Sequence, residues 1–212
     1  MLIPERDMAR ASDAHERLFA ALDRLGDGDV RHASLLPGWT VGHVLSHLAR
    51  NADSHVRRAE AATRREVVDQ YPGGYASRNA EIEEGSVRPA SELVDDVRAS
   101  ASAVALAWRN VPAEAWSRRT RDAGGRERPL FELPSRRWQE VEVHLVDLNI
   151  GVTHRDWPAD FVLEWLPRTR ERMWADLPAE ADAADFDHPA DELAWLYGRL
   201  KRKDLPEPRP WG

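Results

Sequence analysis

Four long segments repeat apolar residues at the three- and four-residue spacing of an α-helix, and this pattern constrains the fold most strongly. They run from about Glu5 to Leu25, from Thr40 to about Arg64, from Pro89 to before Pro112, and from Ser135 to Ile150. Glycine or proline interrupts the chain between them, and Thr40 and Ser135 are suitable N-caps. No strand series and no solenoid repeat occurs. The sequence therefore predicts an all-α dominated fold, an up-down four-helix bundle.

The other segments predict smaller features. Residues 78–84 are weakly helical, and residues 117–129 predict an exposed loop or a small hairpin. After Gly151, an amphipathic stretch runs to Trp174 with Pro167 inside it. A polar acidic linker and a last helix from Pro189 to Lys201 follow, and the proline-rich end LPEPRPWG predicts no helix. We expect a bundle over residues 1–151 and a short helical extension over residues 152–212.

Composition excludes several functional classes. The net charge of -7, with 37 acidic against 30 basic residues, argues against nucleic acid as a partner. No apolar run approaches the roughly 18 residues of a membrane span, and the N-terminus lacks a signal-peptide core. We therefore expect a cytoplasmic protein with no membrane partner. The absence of cysteine excludes thiolate ligands and a cysteine nucleophile, so any thiol chemistry needs an external thiol.

Three separated residues predict a metal site. Glu140 and His144 are four apart on one predicted helix, so one cation can bind both side chains. His47 lies on another predicted helix among apolar residues and can supply a third ligand across the bundle interior. Three protein ligands leave a fourth position open, which is typical of a catalytic zinc site and not of a structural one.

Two neighbours of these residues are expected to face elsewhere. His43 lies one turn before His47, and we expect it behind the ligands or at the surface. Glu142 is two positions from both Glu140 and His144, so on a helix it points away from them. The sequence predicts that Glu142 is a solvated carboxylate.

Three polar residues are candidates for supporting roles. Asp147, three residues after His144, can hydrogen-bond a ligand imidazole or shape a thiol pocket, or it can be an ordinary surface carboxylate. Asn51 shares the face of His47 better than Asp53 does, and either can instead cap or bridge helices.

Several motifs resemble the mycothiol-dependent maleylpyruvate isomerase family, within the DinB-like metal-binding helix bundles. They are PGWTVGHVLSHLARNAD at 37–53, EVEVHLVDLNIG at 140–151, ELAWLYGRL at 192–200 and the closing LPEPRPWG. The resemblance implies that His47, Glu140 and His144 bind a divalent metal, usually zinc. It also implies that mycothiol, or a similar low-molecular-weight thiol, is the co-substrate.

The resemblance also suggests roles outside the metal ligands. We predict Asp147 and Arg199 as catalytic residues, with Arg199 pairing with a substrate carboxylate through its guanidinium fork. Asn51 and Asp53 are predicted on the cofactor side of the site. Family members usually carry a larger C-terminal domain, so the extension over residues 152–212 is predicted to be reduced.

The implied reaction is a cis-trans isomerisation in which a metal-bound thiolate adds to a cis-unsaturated diacid and is eliminated after bond rotation. The partners are then a small-molecule electrophile and a thiol, for a monomer or homodimer. Three alternatives stay open: a thiol S-transferase, a metal-dependent hydrolase using bound water, and a non-catalytic ligand-binding bundle. The sequence contains no HExxH motif to support the hydrolase.

Overall fold

The computed structural model describes residues 3–173 and 185–205, which form seven α-helices and one short hairpin. The helices are α1 (Glu5–Leu22), α2 (Val41–Thr63), α3 (Gly74–Ser86), α4 (Ala90–Arg109), α5 (Leu133–Asp147), α6 (Ala159–Met173) and α7 (Pro189–Leu196). Strand β1 (Arg119–Arg121) pairs antiparallel with β2 (Glu127–Pro129). The predicted all-α fold is confirmed, and so is the small hairpin.

The chain divides into two compact units, Met1–Ile150 and Gly151–Gly212. In the first unit α2 is the central helix and contacts α3, α4 and α5, while α1 packs against α5 and α4. The predicted four long helices are all present, and α3 adds a fifth, longer than the weak pattern at 78–84 predicted. Apolar side chains close the interior between the helices. They include Leu18, Leu45, Leu48, Leu93, Val104, Trp116 and Trp138.

The start of α2 follows from its capping residues. Thr40 Oγ1 accepts from the backbone N–H of His43, and the His43 ring bonds back to the Thr40 backbone N–H. This reciprocal arrangement is a capping box, and it confirms Thr40 as the N-cap. Close approach of α3 to this end of α2 requires Gly42, because a Cβ there would lie 2.4 Å from the carbonyl oxygen of Ser86.

The ends of α5 differ from the prediction. The helix begins at Leu133, so Ser135 lies inside its first turn and donates to the Glu132 carbonyl instead of capping the helix. Pro134 explains the earlier start, because proline fits the first turn of a helix. The helix ends at Asp147 and not at Ile150, since Asn149 adopts a left-handed conformation with φ of 56°.

The second unit packs α6 and α7 around aromatic residues. The Trp157 ring is tilted against the Phe161 ring and lies edge-to-face with the Tyr197 ring, and all three are buried. Helix α7 ends at Leu196, five residues before the predicted Lys201, because Gly198 turns the chain with φ of 73°. The predicted acidic linker, for the most part, and the non-helical end after Leu205 lie outside the described residues. Of the helices described, none combines the length and apolarity needed to cross a bilayer.

Candidate metal site

The predicted ligands converge between α2 and α5. His47 Nε2 lies 2.8 Å from Glu140 Oε1 and 3.1 Å from His144 Nε2, and His144 Nε2 lies 3.6 Å from Glu140 Oε1. His47 and His144 are buried, whereas the Glu140 side chain keeps 20% of its surface exposed. The three side chains therefore meet in the interior with one side reachable from solvent.

The spacing of these three atoms fits a tetrahedral cation. Ligand atoms about 2.0–2.1 Å from a zinc ion lie about 3.3 Å from one another in tetrahedral geometry. The three observed separations fall on both sides of that value. Two imidazoles and one carboxylate also form a donor set that zinc accepts, with a fourth position left for water or a ligand. The residues present therefore fit a divalent metal.

The electrostatics of the cluster match two of the protonation states that a cation needs. Burial lowers the pKa of His47 to about 4, although its hydrogen bond to Glu140 acts in the opposite direction. Burial alone would raise the pKa of Glu140, but hydrogen bonds from His144 and His47 outweigh it and hold the pKa well below its usual value. Neutral His47 and ionised Glu140 are ligands ready for a metal.

Asp147 holds the third ligand in place. Its Oδ2 lies 2.8 Å from His144 Nδ1, and the carboxylate is fully buried. Burial opposes protonation of His144, but the hydrogen bonds to Asp147 and Glu140 prevail and raise its pKa. A carboxylate at Nδ1 keeps the proton on that nitrogen and turns Nε2 toward the metal position. Asp147 thus contacts the cluster through His144, and its predicted catalytic role stays a prediction.

Asn51 connects the ligands to a buried arginine. Its Nδ2 donates to Glu140 Oε1 at 3.1 Å, and its Oδ1 accepts from Arg137 Nη1 at 2.9 Å. Arg137 is completely buried and also donates to the Leu48 carbonyl and to His15 Nε2. Burial lowers the pKa of Arg137 to about 10, so the guanidinium stays charged at neutral pH. Asn51 thus aligns the Glu140 carboxylate.

Sequence reasoning missed Arg137 and Arg78. Arg137 precedes Glu140 by three positions and so shares its helix face, which was the available signal. Arg78 on α3 donates from Nη2 to His47 Nδ1 at 2.9 Å. No spacing along the chain links Arg78 to His47, so the packing of α3 on α2 was needed to reveal this contact.

The structure places other candidates away from the ligand atoms. His43 bonds Thr40 through Nδ1 and Glu83 through Nε2, so both ring nitrogens are engaged outside the cluster, as expected. Asp53, predicted on the cofactor side, pairs instead with Arg50 at 3.0 Å and is 39% exposed. Six positions after His47, it lies on another face of α2.

Two further predictions have different outcomes. The prediction that Glu142 is solvated is wrong: it is buried, and its Oε1 lies 3.3 Å from Arg17 Nε on α1. The physical reason is that the face of α5 opposite the ligands packs on α1 and not on water. Arg199 belongs to the second unit, where its guanidinium donates to the Tyr197 carbonyl, and its catalytic role stays a prediction.

Comparison with known families agrees with this geometry. A family profile described as the mycothiol maleylpyruvate isomerase N-terminal domain matches residues 11–149. The chain belongs to this family. The matched range contains all five helices of the first unit except the beginning of α1, and it contains His47, Glu140 and His144.

Solved structures extend the family likeness to the overall fold. A mycothiol-dependent maleylpyruvate isomerase and a histidine-to-alanine variant of it each give a TM-score of 0.85 at 24% identity. Each alignment covers 99% of this chain and 98% of the solved chain. At this identity the likeness shows the fold. Among curated protein sequences, none matches significantly.

Proposed function

We propose that this chain is a divalent-metal- and thiol-dependent isomerase of the maleylpyruvate isomerase type, with zinc as the metal and mycothiol or a similar small thiol as the cofactor. The observation that carries the proposal is the convergence of three lone-pair donors from two helices, within 4.8 Å of one another and partly open to solvent. Membership of the mycothiol maleylpyruvate isomerase family supports the reaction type.

The residues of the chain would divide the work as follows. His47, Glu140 and His144 would hold the cation, and a bound divalent metal lowers the pKa of a thiol that binds to it. Asp147 keeps the His144 ring oriented, and Asn51 keeps Oε1 of Glu140 aligned. Because Glu140 is the only anionic ligand of the three, a divalent cation keeps net positive charge at the open position.

The proposed chemistry is balanced and regenerates the thiol. The thiolate sulfur forms a bond to one carbon of the cis double bond, and the displaced electron pair moves onto the adjacent carbonyl group. The former double bond is then single and rotates. Return of the electron pair expels the thiolate and restores the double bond in the trans geometry. No cysteine of the chain can replace the external thiol, because the chain has none.

Metal content is the first test. We expect near-stoichiometric zinc in the purified protein and its loss in His47→Ala and Glu140→Ala, measured by elemental analysis. His32→Ala is the matched control, because that side chain is 74% exposed and lies 3.9 Å from the Asp29 carboxylate, outside the ligand cluster. Binding of mycothiol, followed by calorimetry in the same samples, should disappear together with the metal. Protein that binds no zinc after supplementation would contradict the proposal.

The reaction itself separates the remaining alternatives. Zinc-loaded protein mixed with maleylpyruvate should form the trans isomer only when a thiol is added, as followed by ultraviolet absorbance. Stable accumulation of a thiol adduct would instead identify an S-transferase. Turnover of an ester or amide without thiol would identify a hydrolase that uses the same ligands.

A further inference from the structure

The guanidinium of Arg78 contacts a predicted metal ligand, His47. The Arg78 guanidinium carbon lies 5.7 Å from the Trp39 ring centroid and 5.6 Å from that of Tyr71. Such cation–π contacts hold a guanidinium without neutralising its charge. Its hydrogen bonds go to Asn79 and to His47, and no carboxylate of the described residues lies within ion-pair distance. Arg78 is therefore a positioned cation without a carboxylate in direct contact among the described residues.

The bond between Arg78 and His47 is incompatible with a metal on His47. A guanidinium can only donate, so His47 Nδ1 must accept, and the proton of a neutral ring then sits on Nε2. A cation at Nε2 needs that lone pair, which moves the ring proton to Nδ1. Arg78 Nη2 and His47 Nδ1 would then both be donors, and they could not hydrogen-bond to each other. A metal held at Nε2 of His47 would therefore leave the Arg78 fork without this bond.

The charges of the network indicate what the released fork binds. Two carboxylates, Glu140 and Asp147, belong to the hydrogen-bonded network, and two arginines, Arg137 and Arg78, balance them. A divalent cation would add two positive charges, and the metal-bound thiolate of the proposed function would neutralise one of them, so one positive charge would remain for a substrate group. A substrate carboxylate supplies the matching negative charge, and its planar group fits a guanidinium fork through two parallel hydrogen bonds.

We propose that Arg78 is a substrate-binding residue that takes one carboxylate of an anionic, dicarboxylate-class substrate at the edge of the metal site. The inference rests on the proposed function, because it needs a cation on His47. The rings of Trp39 and Tyr71 keep the guanidinium at this edge. Charge-assisted bonds of this kind bind more strongly than neutral ones.

The test uses the full-length, zinc-loaded protein and maleate as the probe, with affinity measured by isothermal titration calorimetry. We expect Arg78→Gln to weaken maleate binding roughly 10- to 100-fold. Arg78→Lys should give an intermediate loss, because an ammonium keeps the charge but not the fork. Arg24→Gln is the matched control, since Arg24 is exposed beyond the end of α1 and should bind maleate as the native protein does.

Zinc affinity, measured separately with a chelating indicator, distinguishes the two proposals. We expect Arg78→Gln to bind zinc at least as tightly as the native protein, because His47 Nδ1 no longer has a competing donor. Native-like maleate affinity in zinc-loaded Arg78→Gln would overturn the role of Arg78 and leave the proposed function standing. Loss of zinc in that variant alone would assign Arg78 to ligand positioning and also overturn it. Absence of zinc from the native protein would overturn the proposed function.

Discussion

Two buried polar clusters share helices α2 and α5, and α1 contributes His15 to the second of them. The two clusters contain buried charge in opposite ways. The ligand cluster, His47, Glu140 and His144, brings three potential ligand atoms together, and Arg78 contacts it at the outer ring nitrogen of His47. The arginine cluster, His15, Asn51 and Arg137, surrounds a completely buried cation that belongs to the chain itself. A buried arginine supplies its own cation and closes the structural cluster, whereas the three convergent ligand atoms suit a cation from outside, as proposed above.

Asn51 joins the two clusters, because its amide donates to Glu140 and its carbonyl accepts from Arg137. The Arg137 guanidinium is therefore linked to Glu140 through the side chain of Asn51. If the comparison is right, damage to the arginine cluster should appear first in folding stability. Damage to the residues around the ligands should appear first in metal affinity.

The largest effect is expected from Arg137→Met. The change leaves His15 Nε2, the Leu48 carbonyl and Asn51 Oδ1 without their buried donor. We expect a loss of about 3–5 kcal/mol in the free energy of unfolding. Urea denaturation in the presence of a chelator measures this loss without a metal contribution. The neighbouring Arg136→Met is the control, and equal stabilities for the two variants would contradict a structural cation.

Asn51→Ala should have the next largest effect, and we expect that effect on zinc affinity. Its removal frees Glu140 Oε1 from its neutral donor and breaks the link to Arg137. We expect zinc affinity to fall about 100-fold, at the upper end for groups that orient ligands. Competition with a chelating indicator measures the change. Asn110→Ala, at the exposed C-terminus of α4, should leave it unaffected, and similar values for both variants would remove Asn51 from the site.

Asp147→Asn tests the orientation of His144, and we expect a smaller effect on zinc affinity than from Asn51→Ala. An amide oxygen still accepts from His144 Nδ1, but the negative charge is lost. A fall of about 10-fold in zinc affinity is expected. Asp53→Asn serves as the control and also tests the earlier prediction for Asp53, which pairs with Arg50 on another face of α2. A larger effect at Asp53 than at Asp147 would reverse the assignment made here.

The smallest effect is expected from His55→Phe, through pH. Burial, followed by the charges of Arg58 and Arg137, lowers the pKa of His55 well below 6.5. Below about pH 6.5 His55 is protonated in the unfolded chain but stays neutral in the folded protein. This residue therefore lowers the free energy of unfolding as the pH falls. Its contribution changes by at most about 1.4 kcal/mol per pH unit. Denaturation of both proteins at pH 7.5 and 5.5 should show the variant gaining relative stability at the lower pH.

Much of the first unit could be predicted from the sequence, because its helices are amphipathic and their breaks contain glycine or proline. The i,i+4 pair Glu140–His144 was predictable for a similar reason, since helix geometry alone places both side chains on one face. Thr40 was predictable for an equally local reason, the hydrogen bonds of a capping box. Features fixed within one turn of chain were therefore read correctly.

Features that depend on tertiary packing were not predicted correctly from the sequence. Arg136 and Arg137 are adjacent and chemically identical in the sequence, yet only the packed bundle shows that Arg137 is fully buried. Glu142 was predicted from the face of α5 that it occupies, and the prediction failed because α1 covers that face. The predicted reduction of residues 152–212 relative to the family's second domain, and the monomeric or dimeric state, stay predictions.

His47 and Glu140 are separated by 93 positions along the chain, although they touch in the folded protein. Bringing such distant residues together costs loop-closure entropy, so we expect this contact to form late in folding. We therefore expect the three-ligand site to form after the nucleus of the bundle. A metal bound there would leave the folding rate nearly unchanged but would slow unfolding. It would therefore lengthen the lifetime of the native state.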